Sequence, residues 1–147
     1  MKALMKKHLK NQKGLTLIEL LAVVVILGII AAIAIPSIGA IMENTRKDAH
    51  IANAEQLVSA AKTAEATSVK SATSGTYTLA ELVSAGLIDS PDVPGVGGKY
   101  TSGSVVIAGK GSAKTYTVTL GTYINDSLLT DLRSKESNKG RELVTLP

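Results

Sequence analysis

At 147 residues the chain is sized for one domain, and without cysteine it can form neither a disulfide nor a thiolate metal site. There is no Phe or Trp and only four Tyr, so a core must come from Val, Ile, Leu and Ala, and a small core of that kind is marginal without a supporting helix. The formal charge of +4 is local: residues 1–13 hold Lys2, Lys6, Lys7, Lys10 and Lys13 and no acid, and beyond them eleven basic residues meet twelve acids. One net negative charge remains there, so the basic pI is poor ground for a nucleic-acid-binding surface.

Immediately after the basic cluster, Leu20 to Ile35 is a run of sixteen residues without a charge or a hydrogen-bonding side chain, and starting at Leu15 adds only Thr16 and Glu19 as interruptions. A helix of that longer run reaches about 31 Å, close to the hydrocarbon thickness of a bilayer. Cations before the run keep the N-terminus cytoplasmic, which predicts a single pass with residues 36–147 delivered outside. Past Pro36, Ile51, Ala54, Leu57, Val58, Ala61 and Ala64 recur at helical spacing among Glu43, Lys47, Asp48, Glu55, Lys62 and Glu65, predicting an amphipathic helix to about residue 70. Gly28 weakens helix propensity and Pro36 removes a backbone bond, so the long helix is expected to bend or loosen between them.

Residues 71–75 end that helix. A short second helix is predicted from Thr78 as N-cap, with Glu81 completing a capping box, Leu79, Leu82 and Val83 inward and Gly86 closing it. Asp89 to Gly98 reads as loop. Gly103 to Ala108 and Thr115 to Leu120 alternate in the β manner around a Gly- and Lys-rich turn, which predicts an antiparallel hairpin. A third strand or a short helix is expected near Leu128 to Leu132, and Glu142 to Pro147 reads as a last edge strand after a polar stretch.

The junction Lys13-Gly14-Leu15-Thr16-Leu17-Ile18-Glu19-Leu20-Leu21 resembles the class III signal sequence of type IV pilins and type II secretion pseudopilins. The resemblance covers about residues 10–40, and the rest of the chain matches only in general architecture. It implies cleavage after Gly14 by a prepilin peptidase, N-methylation of Leu15, and an assembly role for Glu19 at the fifth mature position. It further implies that Gly28 and Pro36 mark a segment that melts in the filament. The implied layout is α+β: a leader over 1–14, a membrane-spanning helix half over 15–36, an amphipathic half over 37–70, and a small β-rich head over 71–147 packed on that amphipathic half. Implied partners are sister pilins, the peptidase, a membrane platform protein and a cytoplasmic assembly ATPase, with no cofactor or metal. Leu15 stands where most of the family has phenylalanine, and the disulfide that closes the C-terminal loop of many Gram-negative major pilins cannot form.

Glu19 has a physical case of its own. An ionised carboxylate in an apolar helix costs roughly 2 to 4 kcal/mol, and such groups pair with something. Cleavage after Gly14 creates a cationic α-amine at similar membrane depth, poorly placed for its own Glu19 within one straight helix but available from a neighbouring subunit. Repeating that contact without closure builds an open helical filament.

The competing reading is an ordinary secretory signal peptide cut after Ala34, on the strength of Ala32-Ile33-Ala34, followed by a secreted or membrane-anchored non-enzymatic domain. It leaves Glu19 unexplained. Catalysis has little to build on: His8 lies in the leader, His50 stands alone on the amphipathic helix, and Asp126 and Asp131 have no identifiable partner. Gly103 to Lys110 is not a phosphate loop, since five residues separate the glycines where the motif has four, and Gly111 replaces the required Ser or Thr. Lys99, Lys110 and Lys114 with Tyr100 and Tyr116 suggest a DNA-binding face, although alternating Tyr and Lys on a strand more often marks a solvated one.

Overall fold

A computed structural model describes residues 16–69, 71, 73–134 and 139–147, and the expected leader, Gly14 and Leu15 lie outside the described residues. The first element is helix α1 (Leu17–Ala66), which belongs to two compact units, one ending at Ile41 and the other beginning at Met42. In the first unit α1 is apolar on nearly every side, with no residue from Thr16 to Ile41 buried. In the second, α1 buries Ala54, Leu57, Val58, Ala61 and Ala64 of the expected stripe and leaves Ile51 only partly buried, while His50 and Ala60 are buried besides.

Helix α1 ends at Ala66, four residues before the expected boundary. Ser68 takes a left-handed φ of 57°, and the Val69 N–H donates to the Ala64 carbonyl at 2.9 Å while the Ser68 N–H donates to Glu65 at 3.3 Å. This pair of bonds is a Schellman closure, which satisfies the last carbonyls locally and stops the helix before its polar neighbours do.

The second unit is a four-stranded antiparallel sheet in the order β1 (Thr76–Thr78), β2 (Gly103–Ala108), β3 (Thr115–Leu120) and β4 (Ile124–Leu128), with α1 packed on one face. The expected hairpin is β2–β3, in continuous register from Gly103 opposite Leu120 to Ala108 opposite Thr115. Tyr77, Val105, Val118, Leu120 and Ile124 meet Leu57, Val58 and Ala61 in the core. The opposite face carries Thr76, Thr78, Ser104, Thr117 and Thr119, as alternation requires.

Helix α2 (Leu79–Ser84) starts on the expected capping box: Thr78 Oγ1 accepts from the Glu81 N–H at 3.2 Å, and Glu81 Oε2 accepts from the Thr78 N–H at 2.7 Å. Leu79 and Leu82 are buried, but Val83, expected to face inward, is 38 % exposed because a six-residue helix turns only a narrow stripe to the core. Gly86, at φ 68°, completes a second Schellman closure through Leu87 N–H to Leu82 carbonyl at 3.0 Å. Replacing Thr78 by Ala should lower head stability by about 1 kcal/mol, while Thr78→Ser stays near wild type. Thermal unfolding of the detergent-solubilised chain measures this, and unchanged midpoints would mean that burial of Leu79 and Leu82 alone holds α2.

Strand β1 was not foreseen, being three residues long and leading straight into a helix. Near Leu128 both expected alternatives occur in succession: β4 gives way to the helical turn α3 (Leu129–Leu132), which buries Leu129 and Leu132. Asp126, at φ 46°, sits in a β-bulge against β3 and donates its N–H to Thr119 Oγ1 at 3.2 Å. The expected last edge strand is reduced to a helical turn, α4 (Lys139–Glu142), and one bridge between Ile124 and Val144. Gly140 lies so close to the Leu132 carbonyl that a side chain there would collide with backbone.

Candidate functional site

Helix α1 opens on Thr16-Leu17-Ile18-Glu19, which is itself a capping box. Glu19 Oε2 accepts from the Thr16 N–H at 2.7 Å and from the Thr16 hydroxyl at 2.8 Å, and the Glu19 N–H donates to Thr16 Oγ1 at 3.3 Å. The carboxylate therefore ties up donors that the helix start leaves open, and it sits at the positive end of the helix dipole. A carboxylate expected to look only outward for a partner already has one in its own chain. The signal was a Thr three residues before a Glu at the head of an apolar run, and Thr16 is the site residue that sequence reasoning passed over.

From Leu17 to Met42 the large apolar side chains point away from the chain, Leu17 at 85 % and Ile33 at 72 % exposure. The helix is long and apolar enough to cross a membrane. So large an apolar surface is not stable in water and requires lipid or protein around it. Gly28 and Pro36 both lie inside α1, and among the described residues a side chain added at Gly28 would meet no neighbouring atom within 4 Å. Packing among those residues thus does not explain that glycine.

The other residues of interest lie in the second unit. His50, expected to be solvated or packed, is fully buried, hydrogen-bonded through Nδ1 to the Tyr100 hydroxyl and stacked on Tyr123 with centroids 4.3 Å apart. Asp131, expected to be without a partner, is 3.5 Å from Lys139 Nζ. Gly103 starts a strand and Gly109 begins a hairpin turn followed only by a three-residue 3-10 turn, Gly111–Ala113, before the next strand, which is not the long helix that follows a phosphate loop.

The suggested Tyr and Lys face comes apart. Tyr100 is buried, and Tyr116 faces α1 beneath Lys62, whose Nζ lies 4.3 Å from the ring centroid. Lys114 is 2.7 Å from Glu65, which raises the Lys114 pKa, and Lys99 donates to the Ser90 carbonyl at 2.8 Å. Neither tyrosine offers bases an open stacking surface, and two of the three lysines have partners, so this geometry lends a DNA site no support. The C-terminal segment is fastened to α1 instead: Arg141 holds Asp48 in a two-pronged pair, both bonds 2.7 Å, and keeps that carboxyl below its usual range, while Arg133 reaches Glu55 at 2.6 Å. These contacts use the surface of the head for internal fastening, and among the described residues no group of three or more His, Cys, Asp or Glu is placed to hold a metal.

The prokaryotic N-terminal methylation motif matches residues 9–35, spanning the end of the basic segment from residue 9, Gly14, Leu15, the Thr16 and Glu19 capping box, and the apolar helix through Ile35. No curated protein and no solved structure matches the chain.

Proposed function

We propose that the chain is the precursor of a structural subunit of a type IV pilus or pseudopilus-like filament. Prepilin peptidase cuts it after Gly14, the new N-terminus is methylated at Leu15, and sister subunits assemble through the apolar half of α1. The observation that carries this reading is the methylation motif over residues 9–35, which includes the start of a helix whose large apolar side chains, among the described residues, are exposed. Before assembly the subunit crosses the membrane once with the head outside; afterwards the same apolar surface packs against other subunits in a surface filament. Glu19 receives the incoming subunit's α-amine, and Gly28 and Pro36 let α1 loosen as the helices pack. The platform protein and assembly ATPase are partners by family resemblance.

Mass spectrometry of sheared filaments tests this. The expected N-terminus is N-methyl-Leu15. A mature chain beginning at Ile35 would replace the proposal with the secretory reading, in which a signal peptidase cuts after Ala34, a residue inside α1.

A further inference from the structure

We infer that His50 is an acid-sensitive latch: held neutral between Tyr100 and Tyr123, it fastens the 89–100 loop and the β3–β4 turn to α1, and its protonation releases them.

Among the described residues, Nε2 of His50 is the one buried side-chain polar atom without a hydrogen-bond partner. The ring stacks on Tyr123 at 24° and meets Tyr100 edge-on with centroids 5.9 Å apart, while Tyr100 and Tyr123 meet at 90° and 5.8 Å. Asn53, almost one helical turn further along α1, donates Nδ2–H to the Asp92 carbonyl at 3.0 Å and so ties the same loop to the helix. A neutral imidazole makes the bond to Tyr100 in either tautomer, accepting the phenolic proton at Nδ1 or donating its own N–H to the Tyr100 oxygen, so the contact needs no charge on the ring.

Protonation places a cation in a fully buried site where, among the described residues, no carboxylate touches the ring. The charged groups on the surrounding elements are Arg46, Lys47 and Asp48 on α1, Asp89, Asp92 and Lys99 on the loop, and Arg141 and Glu142 beyond β4. Asp48 and Asp92 already face Arg141 and Lys99, the latter at 4.0 Å. Tyr123 is the titratable group of the β3–β4 turn and stacks on the ring, while Tyr100 meets it edge-on. Burial accordingly depresses the His50 pKa.

The sign follows from that direction. With the folded pKa below 6.5, the open state binds more protons as the pH falls below 6.5, so closure is fully favoured above that pH and weakens below it. The loop is built to lift as a piece: Val93 N–H donates to Gly98 at 2.8 Å and Tyr100 N–H to Pro91 at 3.1 Å, so its shape does not depend on α1. Release uncovers Val93 and Tyr100 beside Val96, which is already 61 % exposed.

Hydrogen exchange of the full chain in detergent micelles, followed from pH 7.5 to 5 and corrected for intrinsic exchange, tests the latch. Opening of residues 89–100 relative to β2 and β3 should rise by up to about tenfold per pH unit below 6.5, as release by one proton requires. In His50→Gln, which can still accept from Tyr100 but does not titrate, the ratio should stay flat. A flat ratio in the wild type, or the same slope in His50→Gln, would overturn the inference. If His50→Gln does not fold, the imidazole C2–H resonance of His50 decides, assigned against His8→Gln: a midpoint below 6.5 supports the latch, and one at or above 6.5 overturns it.

Discussion

Replacing Glu19 by Ala should leave processed subunit stranded in the membrane, with surface filaments reduced at least about 100-fold. The substitution deletes a costly charge from an apolar helix and so makes the subunit easier to hold in lipid. Yet an incoming α-amine buried at that depth without a carboxylate loses roughly 3 to 5 kcal/mol, which is 100-fold or more in the contact. The capping box adds a second loss, because Ala cannot accept from the Thr16 N–H that Glu19 holds at 2.7 Å. Glu19→Gln separates the two effects, since Gln preserves a capping box and removes only the charge. Filament failure with both variants assigns the role to the charge. Normal filaments with Gln but not Ala would assign it to the helix start, and normal filaments with both would mean that apolar packing alone sets the register. The measurement is sheared filament against membrane-retained mature subunit.

Gly14→Val should accumulate full-length precursor, with cleavage slowed at least tenfold, a rejection of about 1.4 kcal/mol or more. In the proposed cleavage after Gly14, a β-branched side chain would narrow the backbone choices of the residue whose carbonyl is attacked and fill space that glycine leaves to the peptidase. The consequence reaches assembly, because without cleavage no α-amine forms and Glu19 keeps only its Thr16 partners. Intact mass of the membrane-bound protein distinguishes the outcomes: the uncut 147-residue chain is expected, and wild-type yields of the chain starting at Leu15 would remove Gly14 from the cleavage site.

Local and periodic features were legible from the residues alone. The apolar stretch after the lysines, the stripe Ala54, Leu57, Val58, Ala61 and Ala64, the Thr78 and Glu81 capping box and the β2–β3 hairpin each depend on residues within a few positions of one another, so spacing states them directly. The match over residues 9–35 falls on the same kind of contiguous signal. The Thr16 and Glu19 box is equally local, a Thr three residues before a Glu, but a lone carboxylate at the head of an apolar run reads first as a buried charge and only the folded helix start shows it as a cap.

What tertiary structure decided depends on residues far apart in the chain. No spacing rule links His50 to Tyr100 and Tyr123, and only the folded chain makes them one cluster and takes Tyr100 out of the solvated face its neighbouring lysine suggests. Arg141 finds Asp48 and Arg133 finds Glu55 in the same way, across most of the head. Strand β1 exists because β2 lies beside it and supplies the backbone partners that three residues cannot provide for themselves. The C-terminal segment becomes a turn and a single bridge because Gly140 must fit against the Leu132 carbonyl, a steric condition set by α3 and invisible in the composition of the tail. Covalent neighbours determine periodicity and caps; distant pairings are selected by the free energy of packing the whole domain at once, which no single stretch of sequence contains.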